Sequence, residues 1–152
     1  MRTVMVAVSA DIAAPPPKVW EQVVDWERPR DWVLEAAEFQ VVSTQHTGVG
    51  VIVEATVGVG CVRTGDRFRT DVWQPPDGSG SGHLGLAHLG WVEGRGDIHL
   101  TSLPDGRTRL TWRERLQPPL GWVGEFGLRL VSPLLAWTCR RELAHLRASV
   151  EA

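Results

Sequence analysis

The sequence of 152 residues has no tyrosine, a single lysine (Lys18) and two cysteines, Cys61 and Cys139. Neither cysteine belongs to a Cys-x-x-Cys pair or to a dense disulfide framework, which is typical of a reducing compartment, so we expect a cytoplasmic protein. An excess of charge is also missing, because 16 basic and 18 acidic side chains leave a net charge of −2. Without a positive surface field, we expect no nucleic acid as a partner.

Long apolar runs are absent as well. The charge-free apolar stretch near the C-terminus, Leu130–Cys139, is about half of the ~20 residues that a membrane-spanning helix needs. Near the N-terminus, Ser9 and Asp11 interrupt the apolar residues, so we expect neither a signal peptide nor integral membrane association. Hydrophobic residues make up 43% of the chain, enough for a buried core. We therefore expect a single domain covering residues 1–152.

Apolar residues alternate with polar ones near the N-terminus and predict a first strand over residues 3–13. Three prolines end this strand, and the helical spacing of Val19, Trp20 and Val23 predicts a short helix over 17–25. A second short helix is predicted over 27–33, with Trp32 as its apolar anchor. Six more strands, separated by turn residues, are predicted at 38–45, 50–57, 62–73, 83–92, 97–103 and 107–116.

After Pro118 and Pro119, apolar residues recur at spacings of three and four, which is typical of a helix. Pro133 removes a backbone donor, so we expect a kink or break near residue 132 and a main helix over 133–150. An antiparallel sheet has one apolar face to cover, and a long amphipathic helix can lie across it. The predicted fold is α+β: a curved seven-stranded antiparallel sheet wrapped around a long C-terminal helix, with two short helices after the first strand.

Several short motifs follow these elements in order. They are Ala14-Pro15-Pro16, Val19-Trp20 followed by Asp25 and Trp32, Glu93-Gly94, DGRTRLTWRERL at 105–116, Pro119-Leu120-Gly121 and Pro133-Leu134-Leu135. In this order and spacing, they resemble the START-like or SRPBCC superfamily with its helix-grip fold, in its polyketide cyclase/dehydrase-like branch. The resemblance covers nearly the whole chain. It implies an apolar cavity between sheet and terminal helix, which relatives use to hold lipids, sterols or aromatic polyketides.

Alternate residues of a strand point to the same face of the sheet, and this alternation predicts which side chains face such a cavity. The candidate ligand contacts on the strands are Val53, Phe68, Val72, Ile98, Leu100, Leu110 and Trp112. Trp32 joins them because a large ring with one polar atom suits the rim of a pocket, and Phe126 and Leu130 join them from the terminal segment. The alternative is that these side chains fill a close-packed core without a cavity.

Glu114 and Arg69 are the candidate catalytic residues. Glu114 shares its parity with Leu110 and Trp112, so it points inward from an apolar strand face, where a carboxyl with a raised pKa serves as a general acid or base. Alternatively, it lies at the open end of the strand or pairs with an arginine. Arg69 shares its parity with other arginines of a solvated outer face, and a register shift of one residue would turn it inward.

No metal or cofactor is expected. His83, His88 and His99 lie on neighbouring predicted strands, but their spacing matches no recognised ligand pattern. The string at residues 80–85 matches the dinucleotide fingerprint Gly-x-Gly-x-x-Gly, yet a strand follows it where phosphate binding requires a helix.

Three functions remain open. The first is binding of a hydrophobic small molecule, such as a lipid or polycyclic aromatic, between sheet and C-terminal helix, for transport or sequestration. The second is an enzyme of the polyketide aromatase/cyclase type, and the third is a protein-interaction module with a closed core. Binding requires a cavity, catalysis requires that cavity and an inward polar pair, and the interaction module requires neither.

Overall fold

Strands and helices follow one another along the chain in the α+β order that the residue pattern predicts. The computed structural model describes residues 3–27, 36–59 and 62–152. Its strands are β1 (Val4–Ile12), β2 (Ala36–Val41), β3 (Ile52–Val59), β4 (Val62–Gln74), β5 (Gly82–Leu89), β6 (Glu93–Ser102) and β7 (Thr108–Gln117). Helix α1 (Pro16–Val23) follows β1, and helix α2 (Gly121–Glu151) ends the chain.

The strands form one antiparallel sheet in the order β1-β7-β6-β5-β4-β3-β2. Each strand from β2 to β7 pairs with its neighbour in sequence, while β1 pairs with β7, with Val8 opposite Trp112. Short turns suffice for the sequential pairs, since antiparallel strands can be joined by hairpins. The helix-grip prediction is confirmed, with one short helix after β1. The second short helix, predicted over 27–33, lies almost entirely outside the described residues.

The core lies between the inner face of the sheet and the second half of α2. In β1, Val4, Val6 and Val8 are buried while the residues between them are exposed, as alternation predicts. Leu146 and Val150 of α2 are each 1% exposed and belong to the same apolar cluster. Full burial of one such side chain contributes about 1.5–3 kcal/mol, so this half of the helix is firmly docked.

A β-bulge in β4 changes which residues face inward. The register shifts between Thr70 and Val72, and beyond it Trp73 packs against Trp20 at 5.5 Å between ring centroids. Val72 instead lies on the outer face, where its Cβ is 2.9 Å from the position that a Cβ on Gly85 would occupy. Before the bulge the even-numbered residues of β4 face inward, and after it the odd-numbered residues do, because the bulge adds one residue. The inward placement predicted for Val72 is therefore wrong.

A kink or break was predicted near residue 132, with the main helix beginning at 133. Helix α2 runs from Gly121 through Pro133 without a break, so the break and that starting point are wrong. Proline cannot donate to the carbonyl of Arg129, four residues earlier. The hydroxyl of Ser132 donates to that carbonyl oxygen instead, at 2.8 Å. The neighbouring side chain thus supplies the donor that the proline lacks, and the helix continues. Neither of the helices in the described part of the chain contains an apolar stretch that would span a lipid bilayer.

The first half of α2 is exposed. Phe126 is 67% and Leu130 is 72% exposed, so their predicted placement in a cavity is wrong. Between residues 121 and 139 the helix carries only Glu125 and Arg129 as charged residues, and these pair with each other at 2.8 Å. A segment that is apolar on nearly every side does not specify which side rests on a sheet. The spacing therefore predicted the helix correctly but not its buried face.

Candidate functional site

A cavity of about 170 Å³ lies on the inner face of the sheet, beside the end of α1. Its apolar walls are formed by Val23, Trp26, Phe39, Ala55, Phe68, Leu84, Leu86, Ile98 and Trp112. Phe68 stands at the centre of an aromatic group, with ring centroids 5.8 Å from Trp26 and 6.3 Å from Phe39. Rings at these distances and tilts stabilise one another beyond their buried area, so this wall is well defined.

One end of the cavity is polar. Asp25, Asp66, His88, Glu114 and Glu142 line it. His88 is the centre of this end: its Nδ1 lies 2.8 Å from Oδ2 of Asp66, and its Nε2 lies 3.0 Å from Oε2 of Glu114. The side chains of His88 and Glu114 are only 16% and 13% exposed. A buried imidazole thus bridges two carboxylates inside an otherwise apolar pocket.

A glycine of β6 makes room for this bridge. His88 belongs to β5 and Glu114 to β7, so β6 lies between them. Opposite these residues, β6 carries Gly94 and Gly96. A Cβ built on Gly96 would lie 2.8 Å from Oε1 of Glu114, closer than real Cβ contacts allow. Because position 96 has no side chain, the carboxylate lies across the strand and reaches the imidazole.

The two carboxylates have further partners that hold them in place. The indole Nε1 of Trp112 donates to Oε1 of Glu114 at 2.6 Å, and the backbone N–H of Arg67 donates to Oδ1 of Asp66 at 2.8 Å. Among the described residues, each oxygen of the two carboxylates therefore accepts a hydrogen bond. We call Asp66, His88, Glu114 and Trp112 the ionic relay.

The relay fixes the charge of its histidine. Burial alone would lower the pKa of His88, but hydrogen bonds to Asp66 and Glu114 and their negative charges outweigh it and raise that pKa to about 10. His88 is thus an imidazolium at neutral pH, with both N–H groups donating. Near it, burial together with the charges of Glu142 and Glu114 raises the pKa of Cys139 to about 12, so this thiol is protonated and unreactive.

The structure brings part of the predicted site together. Glu114 points inward as predicted, and its partner is a histidine rather than an arginine. Phe68, Ile98 and Trp112 line the cavity. Three other candidates are buried in the core without lining it: Val53, Leu100 and Leu110. Trp32 lies outside the described residues.

Arg69 does not take part in the site. It is exposed on the outer face, because Phe68 and Thr70 on either side of it are buried and the bulge begins only after Thr70. The inward orientation considered for Arg69 is therefore wrong, which removes it as a candidate for catalysis in this cavity.

His88, Asp66 and Trp26 were missed as site residues. A signal for the first two was present in the sequence, since His88 shares its parity with Leu84 and Leu86, and Asp66 shares its parity with Phe68. His88 was considered only together with His83 and His99, which match no metal-ligand spacing, so its position on the cavity face was not predicted. Trp26 follows α1 in an irregular segment, where no periodicity assigns a face.

Comparisons with known proteins agree with this architecture. A family model described as polyketide cyclase / dehydrase and lipid transport matches residues 3–151. Among solved structures, the protein TTHA0849 from Thermus thermophilus is 17% identical with a TM-score of 0.76, and 97% of each chain is covered. No curated protein sequence matches the chain.

Two further structures share the fold. The Zhui aromatase/cyclase from Streptomyces sp. R1128 is 18% identical with a TM-score of 0.72, covering 99% of this chain and 92% of the other. Ara h 8.0201 is 11% identical with a TM-score of 0.65, covering 98% of both chains. At these identities the likeness concerns the fold.

Proposed function

The chain belongs to the polyketide cyclase / dehydrase and lipid transport family, and we propose that it binds a small aromatic molecule bearing a hydroxyl group in the cavity beside α1. The observation that carries this proposal is the combination of apolar walls with the buried ionic relay at one end. Such a pocket takes up a ring by burying its apolar surface and orients it through a few polar contacts.

The volume of the cavity limits the size of the ligand. About 170 Å³ is close to the volume of an engineered apolar cavity of ~150 Å³ that holds one benzene ring. The enclosed part of the ligand is thus one ring, or two fused rings in tight contact. A larger polycyclic molecule or a long acyl chain extends beyond the enclosed space.

The polar groups favour a hydroxyl. Every oxygen of Asp66 and Glu114 accepts one hydrogen bond, and a carboxylate oxygen has a second lone pair with which it accepts another. Trp26, which lines the same cavity, is buried and its Nε1 has no hydrogen-bond partner in the described part of the chain. Since a hydroxyl group both donates and accepts, it can satisfy both requirements.

We expect 2-naphthol to bind with one-to-one stoichiometry in isothermal titration calorimetry. Its methyl ether, 2-methoxynaphthalene, lacks the donor and should bind roughly tenfold more weakly, since one hydrogen bond to a charged group contributes ~1.5 kcal/mol. Leu86→Trp fills the cavity from its wall and should abolish detectable binding. Circular dichroism checks that this variant is folded.

The matched control is Leu89→Trp on the same strand. Leu89 is 44% exposed and lies outside the cavity, so this variant should bind 2-naphthol with wild-type affinity. Equal affinity for the naphthol and its ether would contradict recognition through the relay. Unchanged binding by folded Leu86→Trp would show that the ligand occupies another place.

A second function, acid–base catalysis of the cyclase or dehydrase type, is favoured by the position of His88. A cyclase needs an inward polar pair, and the relay supplies His88 with Glu114 in place of Arg69, which faces outward. In an enolisation, the Glu114 carboxylate would take a proton from the carbon next to a carbonyl. The electron pair of the broken C–H bond would form the C=C bond of the enolate, and the π pair of the carbonyl would move to its oxygen, where the adjacent imidazolium would offset the developing charge.

Enolisation can be measured without knowledge of the natural substrate. We expect the protein to accelerate exchange of the α protons of 2-tetralone for deuterium in D₂O, followed by NMR. Glu114→Gln keeps the shape of the side chain but removes the base, so exchange should fall to the buffer rate. Wild-type exchange at the buffer rate would overturn catalysis while leaving ligand binding to the calorimetric test.

A further inference from the structure

A second cluster of chemically active side chains lies on the outer face of the sheet, opposite the cavity face. His83 of β5 and His99 of β6 are direct cross-strand partners. Their rings stack at 4.0 Å between centroids with an interplanar angle of 18°. Asp97 precedes His99 by two residues and therefore shares its face, and its Oδ1 lies 2.7 Å from Nε2 of His83. One ligand atom from each residue lies within 4.8 Å of the other two.

We propose that His83, Asp97 and His99 bind a divalent transition metal of the zinc class. Two imidazoles and one carboxylate suit zinc, copper or nickel, whereas magnesium and calcium prefer all-oxygen sites. A metal takes the place of the proton shared by His83 and Asp97, and modest side-chain rotation brings three ligand atoms to coordination distance. Residues on two paired strands are held close before the metal arrives, so little backbone ordering is required.

Asp97 is held in place by a neighbouring arginine. Nε of Arg95 donates to both carboxylate oxygens, at 3.1 and 3.2 Å, and Arg95 also pairs with Asp71. The side chain of Asp97 is only 10% exposed, so this support orients a buried carboxylate. Hydrogen bonds from outside the ligand set commonly fix the orientation of metal ligands.

The two histidines of the cluster can be reached from solvent, while Asp97 lies buried beneath them. His83 and His99 line a surface depression together with Gln74, Asp77, Ser81 and Thr101. This depression admits a hydrated metal ion and leaves space for one or two water molecules to complete its coordination. A site with three protein ligands and water differs from a closed structural site, where four protein ligands surround the metal.

Calorimetric titration with zinc chloride, after dialysis against a chelator, tests the site. We expect one site that His83→Gln and His99→Gln each weaken about tenfold or more, while magnesium chloride gives no saturable heat. Zinc should also raise the melting temperature of the wild-type protein, but not that of the double variant His83→Gln/His99→Gln. The exposed His145 provides the matched control, because His145→Gln should bind zinc as the wild type does.

The stoichiometry decides the outcome. Thiols also bind zinc, so zinc binding of unchanged stoichiometry and affinity in the folded double variant would place the metal elsewhere and overturn the proposal. Equal weakening by His145→Gln would show non-specific association with surface histidines and overturn it as well. Because 2-naphthol binding is measured separately, failure of the metal site leaves the test of the cavity intact.

Discussion

We expect the wild-type protein to lose stability steeply between pH 6.5 and pH 10, and replacing His88 with glutamine should remove this loss. The pKa of His88 is about 10 in the folded protein against an ordinary value of 6.5, because Asp66 and Glu114 hold its charged form. The folded state thus binds the proton more tightly than the unfolded state. The resulting stabilisation is fully present below pH 6.5 and is lost as the pH rises through 10, at about 1.4 kcal/mol per pH unit.

Urea unfolding at pH 6, 8 and 9.5 measures this dependence. The wild-type free energy of unfolding should fall across the series, while that of His88→Gln should be nearly flat. At pH 6 the variant should also be less stable by about 3–5 kcal/mol, since removing one member of a buried ionic group leaves the others uncompensated. The absence of tyrosine and the single lysine reduce the number of other groups that titrate in this range. The raised pKa of Cys139 adds a smaller loss of stability above about pH 9, which the wild type and His88→Gln share.

His145→Gln is the control for the loss of a histidine as such. His145 is exposed on α2, so His145→Gln should show the same pH dependence of the free energy of unfolding as the wild type. A slope that persists in His88→Gln would assign the titration to another group and would contradict the role given to the relay.

Regular alternation and helical spacing were sufficient to predict the fold. Alternating valines in β1 identified both the strand and its buried face. When one face of a sheet is buried, only one register places every apolar residue of an alternating strand on that face. The same reasoning placed Phe68, Ile98, Trp112 and Glu114 on the inner face, where the structure has them. Local pattern therefore predicted the scaffold and two members of the relay, Glu114 and Trp112.

The errors arose where a local pattern meets a non-local interaction. Val72 was assigned inward because a single bulged residue leaves little trace in composition. A break at Pro133 was expected because the sequence does not show that the Ser132 hydroxyl donates to the carbonyl oxygen of Arg129. That hydrogen bond depends on the side-chain rotamer of Ser132. His88 was overlooked because its importance comes from Asp66 and Glu114, which lie 22 and 26 residues away along the chain.

Gly96→Ala should disconnect the relay without removing any of its members. The added Cβ would lie 2.8 Å from Oε1 and 3.2 Å from Oε2 of Glu114, so the carboxylate must turn away from β6. His88 then loses one of the two hydrogen bonds that raise its pKa, and this pKa should fall by at least about one unit. We expect a loss of stability of about 1–3 kcal/mol, the usual cost of a buried polar group deprived of its partner.

Titration of the imidazole resonances by NMR gives the pKa of His88 directly. Gly65→Ala is the matched control, because Gly65 also lies in a strand and, apart from its two chain neighbours, no atom of the described residues stands within 4 Å of a Cβ built there. That variant should keep the pKa of about 10, which separates the effect of a clash from the general effect of replacing a strand glycine. A pKa of about 10 in Gly96→Ala as well would show that Glu114 reaches His88 without the space that Gly96 leaves on β6.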